Sequence, residues 1–203
     1  MIADTRAIVY VIDDDASVCK SLARLARSEG LDVDTFSSAR DFLSFTPPDR
    51  PGCLVLDLQM PGMTGLELQE ALTAAKRAIP IIFITGFGNV PASVQAMKAG
   101  AVDFLEKPFD DGTLIAVIQR AIRHDIQSRQ TNCEIRTIKK RWETLTKREK
   151  QVFALVVTGM LNKQIAFQLG ITEKTVKVHR ASIMRKMAAQ SLADLVRFSE
   201  RLK

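Results

Sequence analysis

The chain has 203 residues, of which 46% are apolar, so it is long enough for two small folded domains, and its composition excludes a largely disordered protein. Its charge is unevenly distributed. Residues 1–125 contain 12 Lys and Arg against 17 Asp and Glu, a net charge of −5, whereas residues 126–203 contain 17 against 6, a net charge of +11. A basic half of this kind is typical of a nucleic-acid-binding surface, although a solvated basic surface without a partner has the same charge.

Neither the cysteines nor the apolar segments indicate a secreted or membrane protein. Cys19, Cys53 and Cys133 are too few and too scattered for a metal cage or a disulfide framework, which favours free thiols in a reducing compartment. No stretch of the sequence approaches the roughly 20 apolar residues needed to cross a bilayer. We therefore expect a cytoplasmic protein with no membrane partner.

Short apolar segments alternate with helical patterns through the first 125 residues. The predicted strands are residues 8–12, 32–36, 53–56, 81–85 and 102–106. The predicted helices begin near Ser17, Ala39, Leu66, Val90 and Leu114. This alternation predicts a doubly wound α/β domain whose five parallel strands have the order 2-1-3-4-5.

Carboxylates follow the two strands that flank the switch point of this sheet. Asp13 and Asp14 follow the first strand, and Asp57 ends the third, directly before a loop that contains Gly65. Open α/β sheets bind their ligands at this edge, and crowded carboxylates favour a hard cation such as Mg²⁺ or Mn²⁺. We expect Asp14 and Asp57 to bind the metal directly, with the backbone carbonyl of Gln59 as a third ligand and Asp13 acting through water.

The residue types around Asp57 indicate phosphoryl transfer to its carboxylate. Asp57 would attack phosphorus as a nucleophile. Lys107, at the end of the fifth strand, would neutralise phosphoryl oxygens, and Thr85, at the end of the fourth, would donate its hydroxyl. The residues alone leave open an alternative, in which these groups form an ion-paired network that undergoes no reaction.

The chain contains no Gly or Pro from Leu114 to Leu145, which predicts one long helix. Apolar residues recur at three- and four-residue spacing near both ends, whereas His124, Ser128 and Thr131 occupy the same register in the middle. We therefore expect the ends of the helix to pack and its middle to be a solvated connector.

Four short helices are predicted after this connector. Thr146 and Glu149 have the spacing of a capping box, and Gly170 separates the second helix from a third that begins after Thr172. The pattern predicts a small all-α domain with a helix-turn-helix arrangement.

Four motifs in the N-terminal half occur in the order and spacing of a known domain: VIDDD at 11–15, LVLDLQMPGMTG at 54–65, ITG at 84–86 and LEKPF at 105–109. Over about residues 4–125 they resemble the receiver domain of two-component response regulators. The resemblance implies that a sensor histidine kinase donates a phosphoryl group to Asp57 and that the Lys107–Pro108 peptide bond is cis. It also implies that Thr85 and Phe104 rearrange on phosphorylation, although Phe104 lacks the hydroxyl of a Tyr.

The sequence is most similar to the FixJ branch of the NarL/FixJ family. Members of this branch often carry His and Asp where this chain has Phe87 and Asn89. Because of these two differences, the resemblance does not predict the lifetime of the phosphorylated state. The resemblance implies that the helix from Val90 and the fifth strand form the responsive face. Gly86 and Gly88 would allow the loop before that helix to move.

Residues 144–187 resemble the LuxR-type helix-turn-helix of the same family. Lys177 and Val178, on the third helix, match positions that contact bases, and Arg180 is a further outward-facing candidate. The residues expected to contact phosphates are Lys163, Lys174, Thr175, His179 and Lys186. A helical protein-binding module is the alternative for this region.

These resemblances imply a phosphoacceptor receiver domain at residues 1–125, a helical linker at 126–143 and a LuxR-type DNA-binding domain at 144–203. Phosphorylation would promote receiver homodimerisation and binding to promoter DNA. The protein would then act with RNA polymerase, as an activator of transcription, and would be no enzyme beyond its own phosphoryl transfer.

Two other classes of function remain open. A DNA-binding regulator could be controlled by a partner protein independently of phosphorylation. An Asp nucleophile with Mg²⁺ could also belong to a phosphatase of the haloacid dehalogenase type, but such enzymes usually have a second Asp two residues after the nucleophile, where this chain has Gln59.

Overall fold

The structure is a computed structural model that describes residues 6–86 and 90–202. The chain divides into two compact units, Met1–Arg129 and Gln130–Lys203, and each unit has its own hydrophobic core. One helix, α5 (Asp111–Glu143), contributes residues to both units.

The described part of the N-terminal unit contains a five-stranded parallel sheet in the order β2-β1-β3-β4-β5, as predicted. The strands are β1 (Ile8–Ile12), β2 (Asp32–Phe36), β3 (Gly52–Asp57), β4 (Ile81–Thr85) and β5 (Asp103–Glu106). Ile12 lies beside Leu56 and Asp57 beside Ile84 in the register. The carboxyl ends of the central strands therefore meet at one edge of the sheet.

Helices cover both faces of this sheet. They are α1 (Ala16–Ser28), α2 (Ala39–Ser44), α3 (Gly65–Ala74), α4 (Val90–Lys98) and the N-terminal part of α5. Val9 and Val55 pack with α1 and α5, whereas Tyr10 and Leu56 pack with α2, α3 and α4. All residues of β1, β3 and β4 are buried because both faces are covered, which explains their continuous apolar sequences.

The position of Gly65 corrects one prediction. The sequence predicts that Gly65 lies in the loop after Asp57, but Gly65 is the first residue of α3 and is buried. The helix begins at this point because Thr64 and Glu67 form a capping box, in which the Thr64 amide donates to Glu67 Oε2 at 2.7 Å.

Helix α5 is continuous, as the long segment without Gly or Pro predicts. His124 and Thr131 are exposed in its middle, but Asp125 is buried. Asp125 Oδ2 accepts hydrogen bonds from the Gly52 amide at 3.0 Å and from Arg129 Nε at 2.7 Å. These contacts extend the packing of the N-terminal unit along α5 as far as Arg129.

The C-terminal unit is helical. After α5 it contains α6 (Lys147–Val156), α7 (Asn162–Leu169), α8 (Glu173–Met187) and α9 (Leu192–Arg201). The predicted capping box of Thr146 and Glu149 begins α6, and Gly170, with φ of 62°, ends α7 in the left-handed conformation. Among the residues described, no helix has the length and apolar character to span a membrane.

Candidate functional site

Lys107 connects two buried carboxylates at the carboxyl edge of the sheet. Its Nζ donates hydrogen bonds to Asp13 Oδ2 at 2.7 Å and to Asp57 Oδ1 at 2.8 Å. Asp13 is 2% exposed and Asp57 6%, whereas the Lys107 side chain is 26% exposed. The structure thus brings together residues from the ends of β1, β3 and β5.

Backbone amides bind the second oxygen of each carboxylate. Asp57 Oδ2 accepts a hydrogen bond from the Gln59 amide at 2.8 Å, and Asp13 Oδ1 accepts one from the Asp15 amide at 2.9 Å. Asp15 in turn caps α1 by accepting from the Ser17 amide at 2.7 Å. These turns fix the orientation of both carboxylates, and the role of Asp15 was not predicted from the sequence.

The two carboxylates share one cation. Burial raises the pKa of Asp57, and the charge of Asp13 acts in the same direction, whereas Lys107 acts against both. Burial alone would lower the pKa of Lys107, but its hydrogen bonds to the two aspartates raise it, so the ammonium stays charged. The crevice therefore keeps an excess of negative charge that a bound cation would offset.

Thr85 lies next to this network. It ends β4, its side chain is buried, and its carbonyl oxygen accepts a hydrogen bond from the Lys107 amide at 2.7 Å. The following Lys107–Pro108 peptide bond is cis, as expected. Thr85 and Lys107 are thus held side by side by the pairing of β4 and β5.

Phe104 lies beside Phe83 in the register of β5 and β4 and is half-buried on the face of the sheet that α2, α3 and α4 cover. The expectations for Phe87, Gly88 and Asn89 concern residues outside those that the structure describes.

The oxygen atoms around Asp57 are of the kind that Mg²⁺ prefers. The side chain of Asp14 is exposed at the end of β1, and Gln59 is exposed in the loop after β3. Within the described residues, no three His, Cys, Asp or Glu side chains form a group that could hold a metal ion. Mg²⁺ does not require such a group, since it commonly takes one or two carboxylates, phosphate oxygens and water. The residues present therefore fit this ion.

Gly65 allows the start of α3 to approach the loop after Asp57. A Cβ atom at this position would lie 2.5 Å from the Asp57 carbonyl oxygen and 2.9 Å from Phe83 Cε1. The Gly65 amide also donates to the Leu58 carbonyl oxygen at 3.0 Å. The sequence does not predict this contact, although the Thr-x-x-Glu pattern at residues 64–67 indicates the helix start.

The predicted base-contacting residues lie on the exposed side of α8. Lys177 is exposed, and Val178 is 62% exposed. Val176 and Ile183 are fully buried on the opposite side, as predicted. Helix α8 therefore presents a polar and an apolar side chain next to each other on its exposed side.

Two other predicted DNA contacts are engaged within the unit. Arg180 is half-buried, and its Nη1 donates to Asn162 Oδ1 at 3.0 Å, so the expectation of an outward-facing side chain needs correction. Lys186 Nζ donates to Glu149 Oε2 at 2.7 Å and to the Thr144 carbonyl oxygen at 3.3 Å. The hydrogen bond between Arg180 and Asn162 joins α8 to α7, and the ion pair between Lys186 and Glu149 joins α8 to α6.

The remaining predicted phosphate contacts lie on α7 and α8. Lys163 and Lys174 are exposed, and His179 is half-buried. Thr175 Oγ1 lies 2.9 Å from Thr172 Oγ1, at the capped start of α8. Lys163 belongs to α7, and Lys174, Thr175 and His179 belong to α8; these are the two helices of the predicted helix-turn-helix.

Glu149 is the buried acid that positions α8. It accepts hydrogen bonds from Lys186, from Ser182 Oγ at 2.6 Å and from the Thr146 amide at 2.8 Å. Burial alone would raise the pKa of Glu149, but these hydrogen bonds lower it to about 2. The sequence predicts its capping role, whereas its ion pair with a residue 37 positions away is a finding of the structure.

Comparison with known families supports the same two-part architecture. Residues 9–119 match the response regulator receiver domain, and residues 143–199 match the luxR family of bacterial regulatory proteins. Nodulation protein W of Bradyrhizobium diazoefficiens is 50% identical, over 98% of this chain and 88% of its own length. Transcriptional regulatory protein FixJ of Rhizobium meliloti is 48% identical, over 94% of each chain.

Two solved structures are similar over nearly the whole length. The response regulator StyR is 47% identical, with a TM-score of 0.85 over 97% of this chain and 100% of that chain. Full-length FixJ from B. japonicum is 43% identical, with a TM-score of 0.60 over 98% of each. The chain therefore belongs to the two-component response regulators that join a receiver domain to a LuxR-type DNA-binding domain.

Proposed function

We propose that the chain is a transcription regulator switched by phosphorylation of Asp57, with a sensor histidine kinase as donor and promoter DNA as target. The observation that carries this proposal is the Lys107 ammonium between the buried carboxylates of Asp13 and Asp57. In our proposal, residues 1–125 are the phosphoacceptor domain, 126–143 the linker and 144–203 the DNA-binding domain.

Asp57 acts as the nucleophile in the proposed reaction. One of its carboxylate oxygens bonds to the phosphorus of the kinase's phosphohistidine, while the nitrogen–phosphorus bond breaks and the imidazole keeps the electron pair. Lys107 already binds Asp57 Oδ1 and is positioned to neutralise phosphoryl oxygens. Thr85 supplies a hydroxyl from the neighbouring strand end. Apart from this transfer, the chain catalyses no reaction.

Mg²⁺ or Mn²⁺ would be held by the carboxylates of Asp14 and Asp57 and the backbone carbonyl of Gln59, with Asp13 reached through water. When bound, the ion offsets negative charge and orients the phosphoryl group. The residues of the chain hold Asp57 in place through the Gln59 amide and Lys107.

Phosphorylation then favours receiver homodimerisation, through rearrangement of Thr85 and Phe104 and of the face formed by α4 and β5. Val90, Val94 and Met97 give α4 an exposed apolar stripe, which supports this choice of face. A dimer brings a second DNA-binding domain to the same site and thereby raises its effective concentration. Bound at a promoter, the dimer acts on RNA polymerase as an activator.

In the DNA-binding domain, Lys177 and Val178 contact bases in the major groove, because both project from the exposed side of α8. Arg180 is a weaker candidate, since it binds Asn162. The residues proposed to contact phosphates are Lys163, Lys174, Thr175, His179 and Lys186.

The proposed acceptor is tested by incubating the full chain with acetyl phosphate and Mg²⁺ and mapping the modified peptide by mass spectrometry. We expect one phosphoryl group on Asp57 and none in Asp57→Asn. Modification of another residue, or none, would contradict the proposal. Many turnovers of the phosphate donor per protein would instead support an enzyme.

A further inference from the structure

Helices α7 and α8 are joined by a hydrogen bond that leaves most of a guanidinium group unused. Nη1 of Arg180 donates to Oδ1 of Asn162 at 3.0 Å, and both residues are half-buried. The Nε and Nη2 atoms of Arg180 have no hydrogen-bond partner in the described part of the chain. Neither of these two atoms is buried, so an external partner can reach both.

The side chains packed around the inner side of Arg180 are apolar. Arg180 borders a cavity of about 140 Å³, and the other residues that line it are Val156, Ile183, Met184, Leu192 and Leu195. These five side chains contain no oxygen or nitrogen atom that could accept a hydrogen bond. The unused N–H groups of Arg180 are therefore satisfied from outside the domain, by water or by a ligand.

The two helices also carry positive charge that the protein does not neutralise. Residues 162–187 contain six Lys and Arg and only one acidic residue, Glu173. Lys186 pairs with Glu149, but the other five cations form no ion pair among the described residues, and neither does Glu173. This surplus favours a polyanion as the partner of the two helices.

Two of these cations lie close to Arg180 in the helices. Lys177 is three residues before Arg180 on α8, so the two are neighbours on the helix surface. Lys163 directly follows Asn162, the residue that holds Arg180, and both lysines are exposed. Arg180 thus lies beside the exposed side of α8, on the flank where α8 contacts the start of α7.

We propose that Asn162 is a positioning residue that orients the guanidinium of Arg180 towards one phosphate of bound DNA; this inference rests on the DNA binding proposed above. The free edge of the guanidinium is formed by Nε and Nη2, and such an edge can bind two phosphate oxygens at once. Because the Asn162 hydrogen bond already orders the side chain, Arg180 loses less conformational freedom on binding. A guanidinium held against α7 is not free to extend into the groove, which favours a phosphate over a base.

The test is the affinity of the full chain for fluorescently labelled DNA duplexes, measured by anisotropy over a range of salt concentrations with beryllofluoride and Mg²⁺ present. Two duplexes of arbitrary and unrelated sequence are the probes, because a phosphate contact does not depend on sequence. Arg180→Met keeps an unbranched side chain but removes the charge and the donors. It should weaken binding to both duplexes alike and reduce the slope of log affinity against log salt concentration by about 1.

Substitution of Asn162 tests the positioning role. Asn162→Ala leaves the guanidinium charged but unheld, so binding should weaken about three- to ten-fold, the effect of ordering one long side chain on binding. The same substitution should cause no further loss in Arg180→Met. Asn162→Asp keeps an acceptor for Arg180 but neutralises its charge. It should weaken binding more than Gln168→Glu, which adds the same charge at an exposed position of α7.

The outcomes separate this inference from its alternatives. An unchanged salt slope in Arg180→Met, or a loss confined to one duplex, would overturn it, the second result by placing Arg180 on a base. Equal binding by Asn162→Asp and Gln168→Glu would show that Asn162 only holds α7 against α8. Additive losses in the double variant would also overturn the positioning role. If the unmodified chain bound neither duplex, the proposed DNA binding would fail, and this inference with it.

Discussion

The Nζ atom of Lys107 lies 2.8 Å from Oδ1 of Asp57, and the same atom donates to Asp13 at 2.7 Å. One ammonium thus stabilises two buried carboxylates that would otherwise repel each other. The other carboxylate oxygen of Asp57 accepts a hydrogen bond from the Gln59 amide. Lys107 and this amide together therefore fix the orientation of the nucleophile. The reactivity of Asp57 should therefore depend on Lys107 more than on any charge at the surface.

Replacement of Lys107 tests this dependence. We expect Lys107→Met to slow phosphorylation of Asp57 by acetyl phosphate roughly 100-fold, the typical effect of losing one fixed electrostatic group in a site. Lys20→Met, an exposed position on α1, is the matched control and should change the rate less than two-fold or so. Initial rates of phosphoprotein formation measure both. An unchanged rate in Lys107→Met would mean that the ion pair is structural.

Substitution of Gly65 should affect the same site through the backbone. In Gly65→Ala the new Cβ would lie 2.5 Å from the Asp57 carbonyl oxygen, so α3 must move. We expect a loss of about 1–3 kcal/mol in the free energy of unfolding of the N-terminal unit and slower phosphorylation. Denaturation followed by far-ultraviolet circular dichroism measures the first effect.

The matched control for this substitution is Gly112→Ala in α5. The added Cβ would lie 3.0 Å from Oδ2 of Asp110, an exposed side chain that accepts a hydrogen bond from the Thr113 amide at 3.0 Å, so only a small shift of that side chain is needed. Ala has a higher helix propensity than Gly, so Gly112→Ala should leave the free energy of unfolding unchanged or raise it slightly. If both variants were equally stable, the close approach at Gly65 would not matter for the fold.

The stability of the C-terminal unit should depend on pH through Glu149. Its pKa is about 2 in the folded chain, below the ordinary value of 4.5. A carboxyl whose folded pKa is lowered stabilises the fold above its unfolded pKa, and this contribution is lost as the pH falls from about 4.5 to about 2. Trp142, the only Trp in the chain, packs on Phe153 and reports unfolding of this unit by its fluorescence.

Glu149→Gln isolates this contribution. The variant leaves Lys186 without its carboxylate, so the free energy of unfolding at neutral pH should fall by about 2–3 kcal/mol. Its pH dependence between about pH 4.5 and 2 should be weaker than that of the unmodified chain. Glu200→Gln, at an exposed position of α9, should change stability by less than about 0.5 kcal/mol. Parallel pH profiles for the unmodified chain and Glu149→Gln would contradict the assignment.

The two exposed lysines of α8, Lys174 and Lys177, should have separable effects on DNA binding. Lys177→Ala should reduce discrimination between the target site and single-base variants, by about 1–3 kcal/mol at the contacted position. Lys174→Ala should weaken binding to all sequences alike and reduce the slope of log affinity against log salt concentration by about 1. Fluorescence anisotropy measures both, with Lys139→Ala on α5 as a control. A uniform loss in Lys177→Ala would place that residue on the phosphates instead.

The sequence predicts the architecture because each element carries a strong local signal. The strands β1, β3 and β4 are buried on both faces, so each is a continuous apolar segment, and the caps at Thr146 and Thr172 are visible at helical spacing. The strand-end position of Asp57 and Lys107 follows from the same signals.

Contacts between distant residues could not be predicted in this way. Lys107 and Asp13 are 94 positions apart, and which carboxylates the ammonium reaches depends on side-chain geometry across three strands. The same holds for Arg180, whose bond to Asn162 turns it towards α7, and for Asp125, which α5 buries against the Gly52 amide. Helical periodicity identifies an exposed face, but it does not show which polar residues on that face bind each other.

The central claim is that phosphorylation of Asp57 changes how the chain binds DNA. The most direct test is the affinity of the full chain for a promoter fragment, with and without beryllofluoride and Mg²⁺, for the unmodified protein and for Asp57→Asn. We predict that affinity rises at least about ten-fold in the unmodified protein, with dimer formation in sedimentation, and that Asp57→Asn does not respond. Equal affinity with and without beryllofluoride, in protein shown to carry it at Asp57, would contradict the claim and favour control by a partner protein.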